Sequence, residues 1–321
     1  AGGTDASIGT LDALANGMAA RLAAGGIGAG DLVALALPRG ADHVIALLAV
    51  LKVGAAFLPL DPDQAPELLA GLMAGAGARA VIAPPASPLH AAAPLHLAPA
   101  RAPQDQPPPR PPVRPDSLAY VIHTSGSTGL PKGVMGLAGA LGAHADAVID
   151  HYALTPSDRV LHFAGLAFDV ALEEILPTLL CGAQLVLRDA AAAGSVAGFL
   201  DLVDRHGVSV LNLPASFWHV LVDEMARRRL SLPASVRLMI TGSERISPRA
   251  LAQWQGLAPG LRWINGYGPT EATITATTYD LPPGSAGFDP GHEVPIGRPL
   301  GHARAWLCAF DGSLTPLGGV G

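Results

Sequence analysis

The chain has 321 residues, half of them hydrophobic and 14% charged, which is enough apolar material for a large core and more than one lobe. A formal net charge of −6 argues against the basic face that nucleic-acid partners favour. No apolar stretch reaches the ~20 residues of a membrane-spanning helix, and the first residues lack the pattern of a signal peptide, so we expect a cytoplasmic protein.

The first 83 residues alternate helix-like and strand-like apolar patterns. Leu14, Met18 and Leu22 recur at helical spacing within the first of these patterns. Strands that alternate with helices of this length indicate βαβ units and a parallel sheet. Helices are predicted at residues 11–24 and 43–52, and strands at 32–37, 56–60 and 81–82.

A proline-rich segment follows at residues 84–115, which contain twelve prolines. Proline donates no backbone hydrogen bond and favours extended conformations. The composition therefore predicts a surface excursion at residues 84–117 that crosses between two halves of the sheet system. A flexible interdomain linker is the alternative.

The second half, residues 118–280, repeats the alternation of strands and helices. Beyond it, at 281–321, prolines predict loops and short antiparallel strands. The whole pattern predicts an α/β fold of two parallel-rich βαβ sheet subdomains packed together, with a small β-rich subdomain near the C-terminus. Strands are predicted at 119–123, 160–163, 184–187, 208–211 and 237–241, and helices at 138–151, 168–180, 194–206, 216–229 and 248–255.

Two cysteines, Cys181 and Cys308, have no spacing typical of a metal site or a disulfide framework. A single disulfide between them is one interpretation. Two buried, reduced thiols are the other interpretation, which we favour because it suits a reducing cytoplasm.

Residues 123–134, HTSGSTGLPKGV, combine hydroxyl side chains with glycines and a lysine. Small residues let backbone N–H groups turn inward as an anion-binding nest, and the hydroxyls and the ammonium complete a cradle for phosphate oxygens. This is not a Walker A loop, because Pro131 rather than glycine precedes Lys132. Lys52 is the only other lysine of the chain, which favours a phosphate-binding loop over a flexible surface turn.

This segment resembles the phosphate loop of the adenylate-forming enzymes, which include acyl-CoA synthetases, luciferases and the adenylation domains of nonribosomal peptide synthetases. Several blocks in the family's order are more specific than any one of them alone. The other similar segments are LKVGAAFLPLDP at 51–62, LAY at 118–120, FDVA at 168–171, NGYGPTE at 265–271, PIGRP at 295–299 and the final PLGGVG.

The resemblance covers nearly the whole chain and implies the large N-terminal core of an adenylation domain. The small C-terminal domain of the family is then absent, and with it the ribose-binding aspartate and the catalytic lysine, which lie beyond residue 321. These residues alone are therefore expected to bind ligand but to adenylate poorly.

The resemblance also implies a reaction in which a carboxylate is joined to the α-phosphate of ATP and pyrophosphate is released. Positioning and electrostatic stabilisation then carry most of the rate. Thr270 is expected to hydrogen-bond the α-phosphate, and Glu271 to bind Mg²⁺, which prefers carboxylate and phosphate oxygens. Tyr267 is expected to pack on adenine, and Asn265 to read its polar edge. The other residues implied at the nucleotide are Thr124, Ser125, Gly126, Ser127, Thr128, Gly129, Lys132, Gly242, Ser243 and Gly268.

Asp169 begins a predicted helix, where an ordinary role is to cap the helix. The resemblance implies instead that its carboxylate pairs with the α-amine of an amino acid, a group that acyl-CoA synthetases do not bind. Glu173 lies one helical turn further on the same face. The pocket implied by alignment with the family contains Asp169, Val170, Glu173, Asn212, Met239, Thr241, Gly266, Ile274 and Thr275.

Two carboxylates in one pocket repel each other, and a substrate with two cationic or donating groups removes that penalty. The hypothesis is a diamino acid, with its α-amine on Asp169 and its distal nitrogen near Glu173. Ornithine or an N-hydroxylated or N-acylated ornithine fits best, because Asn212 adds an amide contact and Gly266, which has no side chain, leaves the pocket deep. Lysine and 2,4-diaminobutyrate compete closely. The alternative is that Glu173 turns to solvent or pairs with an arginine.

Three functions remain open from the sequence. The first is amino-acid activation for the phosphopantetheine thiol of a carrier protein, with neighbouring synthetase domains and sometimes a small helper protein as partners, in a domain that is monomeric on its own. The second is a stand-alone acyl- or aryl-acid CoA ligase, and the third is a non-catalytic docking domain. Asp169 argues against the second function, and the intact phosphate loop with Glu271 argues against the third.

Overall fold

A computed structural model describes residues 6–99, 101–106, 108, 112–124, 131–188, 194–285, 287–309 and 311–315. Two sheets with helices on their faces make up the fold, which confirms the predicted α/β class. Within the described residues, no helix has both the length and the apolar character needed to cross a bilayer.

The first sheet has six strands, five of them parallel and the last antiparallel to its neighbour. Its spatial order is β4-β3-β1-β2-β5-β6. The strands β1, β2 and β3 are apolar and fully buried, as expected for a parallel sheet covered on both faces. The elements are α1 Ile8–Ala24, β1 Leu32–Leu35, α2 Ala41–Lys52, β2 Ala56–Pro59, α3 Pro66–Ala76, β3 Ala80–Ile82, β4 Leu95–Leu97, β5 Leu118–Thr124 and β6 Lys132–Leu137.

The second sheet has seven strands in the order β13-β12-β11-β10-β9-β7-β8. Strands β7 to β11 are parallel, whereas β12 and β13 add an antiparallel edge. The elements are α4 Ala138–Tyr152, β7 Arg159–His162, α5 Val170–Leu180, β8 Gln184–Leu187, α6 Val196–Arg205, β9 Val210–Pro214, α7 Ala215–Arg228, β10 Leu238–Gly242, α8 Pro248–Leu257, β11 Arg262–Tyr267, β12 Thr277–Leu281 and β13 Arg298–Pro299.

Two apolar clusters sandwich the second sheet and decide which way each strand residue points. Trp218 of α7 and Trp254 of α8 pack against one face together with Trp263. Tyr152 of α4 packs against the other face with Ile240. Because side chains alternate along a strand, neighbouring residues of β10 face different helices.

Helix α5 joins the two halves of the molecule. Its Leu172 and Ile175 belong to the same core cluster as Phe57 of the first sheet, and the helix also packs along β7 and β8 of the second sheet. Residues at the start of α5 therefore lie between the two sheets.

The proline-rich segment does not cross between the two halves. It leaves β3 and returns to β5, which are strands of the same first sheet, and it supplies the edge strand β4 on the way. Its later part packs on α1, where the Gln104 N–H donates to the Ala13 carbonyl oxygen at 2.9 Å. Proline removes donors but leaves carbonyl oxygens, so this segment is tolerated at an edge of the sheet.

Five described elements were not predicted, and one boundary was misplaced. The elements are α3, β4, β6, β11 and β12, which are short or contain glycine and lack a clear period. Strands β5 and β6 belong to the first sheet rather than to the part of the chain that continues to residue 280. The two cysteines are free, but neither is buried: Cys181 is half-buried and Cys308 is exposed, which corrects that expectation.

Candidate functional site

A cavity of about 660 Å³ opens at the carboxyl ends of β9, β10 and β11. Open parallel sheets place ligands at this edge, because loops diverge there and leave a crevice. The predicted residues that line the cavity are Asp169, Val170, Asn212, Thr241, Gly242, Ser243, Gly266, Gly268, Thr270, Ile274 and Thr275.

Asp169 presents one uncommitted carboxylate oxygen to this cavity. It immediately precedes α5, but its side chain makes no capping hydrogen bond to the helix. Its Oδ2 atom is buried without a hydrogen-bond partner among the described residues. Burial raises the pKa of Asp169, a hydrogen bond from Thr270 opposes this, and the nearby Glu173 charge raises the pKa further. A buried carboxylate oxygen of this kind is suited to a cationic donor.

The strand register decides which residues form the floor of the cavity. Asn212 lies beside Ile240, and Gly242 lies beside Gly266, on the face that α4 covers. Met239 points to the opposite face and is fully buried in the cluster of Trp218. This corrects the prediction for Met239: the residues of β10 that line the cavity are Ile240, Thr241 and Gly242.

Two glycines keep the cavity open where strands approach each other closely. A Cβ atom added at Gly242 would overlap the carbonyl oxygen of Gly266. At Gly268, an added Cβ atom would overlap the carbonyl oxygen of Ile274. Any larger residue would therefore displace a backbone that borders the cavity.

Glu173 is not among the described residues that line the cavity. It lies behind the floor, 4% exposed, where its Oε1 atom accepts hydrogen bonds from the Tyr152 hydroxyl at 2.9 Å and from the Asn212 Nδ2 atom at 3.0 Å. Its Oε2 atom is 3.1 Å from the Nε2 atom of His144. Glu173 thus neither turns to solvent nor pairs with an arginine, which were the two alternatives to a pocket role.

The ends of the predicted phosphate loop are held by a β-hairpin. Thr124 ends β5, Lys132 begins β6, and these two residues are directly opposite each other in the antiparallel register. The loop residues Ser125, Gly126, Ser127, Thr128 and Gly129 lie outside the described residues. The hairpin places the two ends of the loop side by side.

The NGYGPTE segment runs from the end of β11 into a 3₁₀ turn at Thr270–Ala272. Tyr267 is 49% exposed and Glu271 is exposed in the turn, so both side chains are accessible to a ligand. Asn265 is buried, and its Nδ2 atom donates to the carbonyl oxygen of Pro295 at 2.9 Å. That N–H group holds the segment before β13 rather than facing the cavity.

Sequence reasoning missed two arginines on the cavity wall. Arg39 donates to the carbonyl oxygen of Ala164 at 2.7 Å, and the guanidinium of Arg188 lies 4.3 Å from the ring centre of Phe163. Burial lowers the pKa of both arginines. Arg188 directly follows β8, so its position at the carboxyl end of a parallel strand was the available signal.

Comparison with known proteins places the site in a family. The family model described as "AMP-binding enzyme" matches residues 1–321. The chain is 41% identical over 315 residues to an isonitrile lipopeptide synthase of Streptomyces coeruleorubidus, covering 95% of this chain and 21% of that protein. It is 32% identical over 324 residues to tyrocidine synthase 2 of Brevibacillus parabrevis, covering 97% of this chain and 8% of that protein.

Solved structures show the same architecture. The crystal structure of the nonribosomal peptide synthetase FmoA3 in its α-methyl-L-serine-AMP bound form superposes with a TM-score of 0.83 and 27% identity, over 95% of this chain and 34% of that one. The chain thus spans only a small part of the relatives it matches. The resemblance that the motifs indicated is confirmed, and this chain belongs to the AMP-binding enzyme family.

Proposed function

We propose that this chain is the large core of an adenylation domain that activates an amino acid as its aminoacyl-AMP. A carboxylate oxygen of the amino acid attacks the α-phosphorus of ATP, the bond between the α- and β-phosphates breaks, and pyrophosphate leaves. The observation that carries the proposal is the unpartnered Oδ2 atom of Asp169 in the cavity. A carboxylate there suits the α-ammonium of an amino acid and has no use in a fatty- or aryl-acid site.

The nucleotide side of the proposal depends on residues at the mouth of the cavity. Thr270 lines the cavity, and Glu271 follows it on the same exposed turn. In this proposal the α-ammonium of the substrate replaces Thr270 at Asp169, which frees the Thr270 hydroxyl to donate to a phosphate oxygen, and Tyr267 offers an exposed ring for adenine. Thr124 and Lys132 hold the ends of the loop that we propose for the departing phosphates.

Mg²⁺ is the metal that this donor set fits. No cluster of three or more potential metal ligands exists among the described residues, so this part of the chain offers no metal cage of its own. An exposed carboxylate such as that of Glu271, combined with phosphate oxygens of the nucleotide, is how Mg²⁺ is usually held. The metal would neutralise phosphate charge.

The substrate proposal is a diamino acid of the ornithine type. Asp169 supplies one negative charge in the cavity, and Glu173 supplies a second one directly behind Asn212. The His144 imidazole 3.1 Å away, together with Thr275 and Tyr152, outweighs the effect of burial, so the pKa of Glu173 lies below its ordinary value and the carboxylate is ionised at neutral pH. A distal ammonium at Asn212 and Thr275 would lie next to that charge without displacing any of its partners.

Partners follow from the same chemistry. An aminoacyl-AMP is a reactive acyl donor, and the proposed acceptor is the phosphopantetheine thiol of a carrier protein. The named relatives, a lipopeptide synthase and a tyrocidine synthase, are much longer than this chain, which supports neighbouring synthetase domains as partners. A small helper protein and a monomeric state of the isolated domain remain part of the proposal.

The experiment is amino-acid-dependent ATP–pyrophosphate exchange with the full-length protein. The panel contains ornithine, N5-hydroxyornithine, lysine, valine, phenylalanine and benzoate. We expect exchange with the ornithine group. Preference for valine or phenylalanine would keep the enzyme class and overturn the substrate, preference for benzoate would overturn the role of Asp169, and no exchange with any carboxylate would overturn the activity.

A further inference from the structure

Two of the side chains around Glu173, His144 and Tyr152, lie outside the cavity. The Glu173 side chain is 1% exposed, as is that of His144. His144 and Tyr152 are both on α4, one on each carboxylate oxygen of Glu173. Among the described residues, His144 is the one basic side chain in contact with this carboxylate. A carboxylate buried this deeply stays ionised only where donors replace its lost water.

Asn212 carries the effect of Glu173 to the cavity. A carboxylate oxygen of an ionised Glu173 only accepts hydrogen bonds, so the Asn212 atom that faces it must be the amide nitrogen. The other end of the same amide, the carbonyl oxygen Oδ1, is then the atom left for a ligand in the cavity. An ionised Glu173 therefore makes Asn212 an acceptor toward the substrate.

A protonated Glu173 would do the opposite. Its O–H group would donate to the Asn212 oxygen, and the amide would turn its NH₂ group toward the cavity. A cationic side chain would then meet a donor instead of an acceptor and would lose the negative charge behind it. The state of Glu173 thus decides which kind of side chain the floor of the cavity accepts.

We propose that His144, assisted by Tyr152, is a positioning residue for substrate specificity, because it holds Glu173 in the ionised form that turns the Asn212 oxygen toward a cationic substrate side chain. This inference depends on the proposed diamino-acid substrate. His144 does not line the cavity, and its contact toward the cavity is with Glu173.

The test compares ornithine with norvaline, which has the same carbon chain and lacks the distal amine. ATP–pyrophosphate exchange by the full-length protein is measured for His144→Met, which removes the imidazole beside Glu173 and leaves an apolar side chain of similar length. We expect the KM for ornithine to rise about tenfold, because Glu173 loses its negative charge behind Asn212. The KM for norvaline and both kcat values are expected to stay within about twofold.

Two further variants distinguish a positioning role of His144 from a general loss of protein structure. His144→Gln keeps a donor near the position of the imidazole Nε2 atom and is expected to restore the KM for ornithine to within about threefold of the parent. Tyr152→Phe removes only the hydroxyl that donates to Glu173 and is expected to raise that KM about threefold. If His144→Met does not fold, Tyr152→Phe decides the matter with the same two substrates.

The outcomes are distinguishable from a failure of the proposed substrate. Unmodified protein that prefers norvaline to ornithine removes the substrate proposal, and the role of His144 with it. Preference for ornithine in the parent, combined with equal changes for both amino acids or no change in the variants, overturns only the role of His144. A selective loss for ornithine that glutamine restores supports it.

Discussion

Glu173 and Glu174 are neighbours on α5, both buried, and each is paired with a histidine, yet they serve different regions. Glu173 faces α4 and touches Asn212 at the cavity floor. Glu174 faces β7, where its Oε2 atom is 2.7 Å from the Nδ1 atom of His162 and accepts the N–H groups of Phe163 and Ala164. The residue type alone does not distinguish them; the helix turns them about 100° apart into different surroundings.

The pKa values of the two carboxyl groups are shifted in opposite directions. Burial raises the pKa of Glu174, and its hydrogen bonds with His162 and Ala164 only partly offset this. At Glu173 the donors outweigh burial and the pKa is lowered. We interpret Glu174 as the anchor of the chain segment that leads from β7 to Asp169, and Glu173 as the charge that acts on the substrate.

The largest effect is expected from replacing Glu174, the anchor of the segment between β7 and Asp169. Glu174→Leu leaves two backbone N–H groups and His162 buried without their acceptor, so the free energy of unfolding is expected to fall by about 3–5 kcal/mol. Urea unfolding of the purified protein, followed by tryptophan fluorescence, measures this. An unchanged stability would show that Glu174 is not an anchor.

Asp169→Asn tests the carboxylate that faces the cavity. Losing a buried charge that pairs with the α-ammonium is expected to cost about 2–5 kcal/mol of transition-state binding, which is roughly thirtyfold or more in kcat/KM. Pyrophosphate exchange measures this, and the affinity for ATP alone serves as the control because Asp169 is not proposed to touch the nucleotide. A variant within about threefold of the parent would contradict the assignment.

Glu173→Gln sharpens the contrast with Glu174. The amide keeps the size and the acceptor toward Tyr152 but carries no charge, so the free energy of unfolding is expected to change by only about 1 kcal/mol. The preference for ornithine over norvaline is expected to fall about tenfold. The comparison fails if Glu174→Gln lowers this preference to the same extent.

The smallest effects concern neighbouring residues of β10. Ile240→Val removes one methyl group from the cavity floor and is expected to shift the ratio of kcat/KM for lysine and ornithine by about tenfold or less. Met239→Leu changes the opposite face of the strand, so the ratio is expected to remain unchanged while stability falls by less than about 1.5 kcal/mol. If Met239→Leu changed the ratio of kcat/KM for lysine and ornithine, Met239 would belong to the substrate pocket, as the sequence predicted.

The sequence by itself determined the α/β class, most helices and the motifs that indicate the AMP-binding enzyme family. These features depend on local periodicity and on residue types at fixed spacing, which a linear chain displays directly. Short elements such as β4 and β6 were not predicted, because pairing with neighbouring strands stabilises them more than the intrinsic strand propensity of their residues does.

Only the tertiary structure decided which side chains meet. Packing placed Met239 in the cluster of Trp218, whereas its neighbours Ile240 and Thr241 line the cavity near the end of β10. Packing of α4 against α5 brought His144 and Tyr152 to Glu173, although the residues are separated by more than twenty positions in the chain. Contacts of this kind depend on how helices pack across a sheet, and no local pattern in the sequence records them.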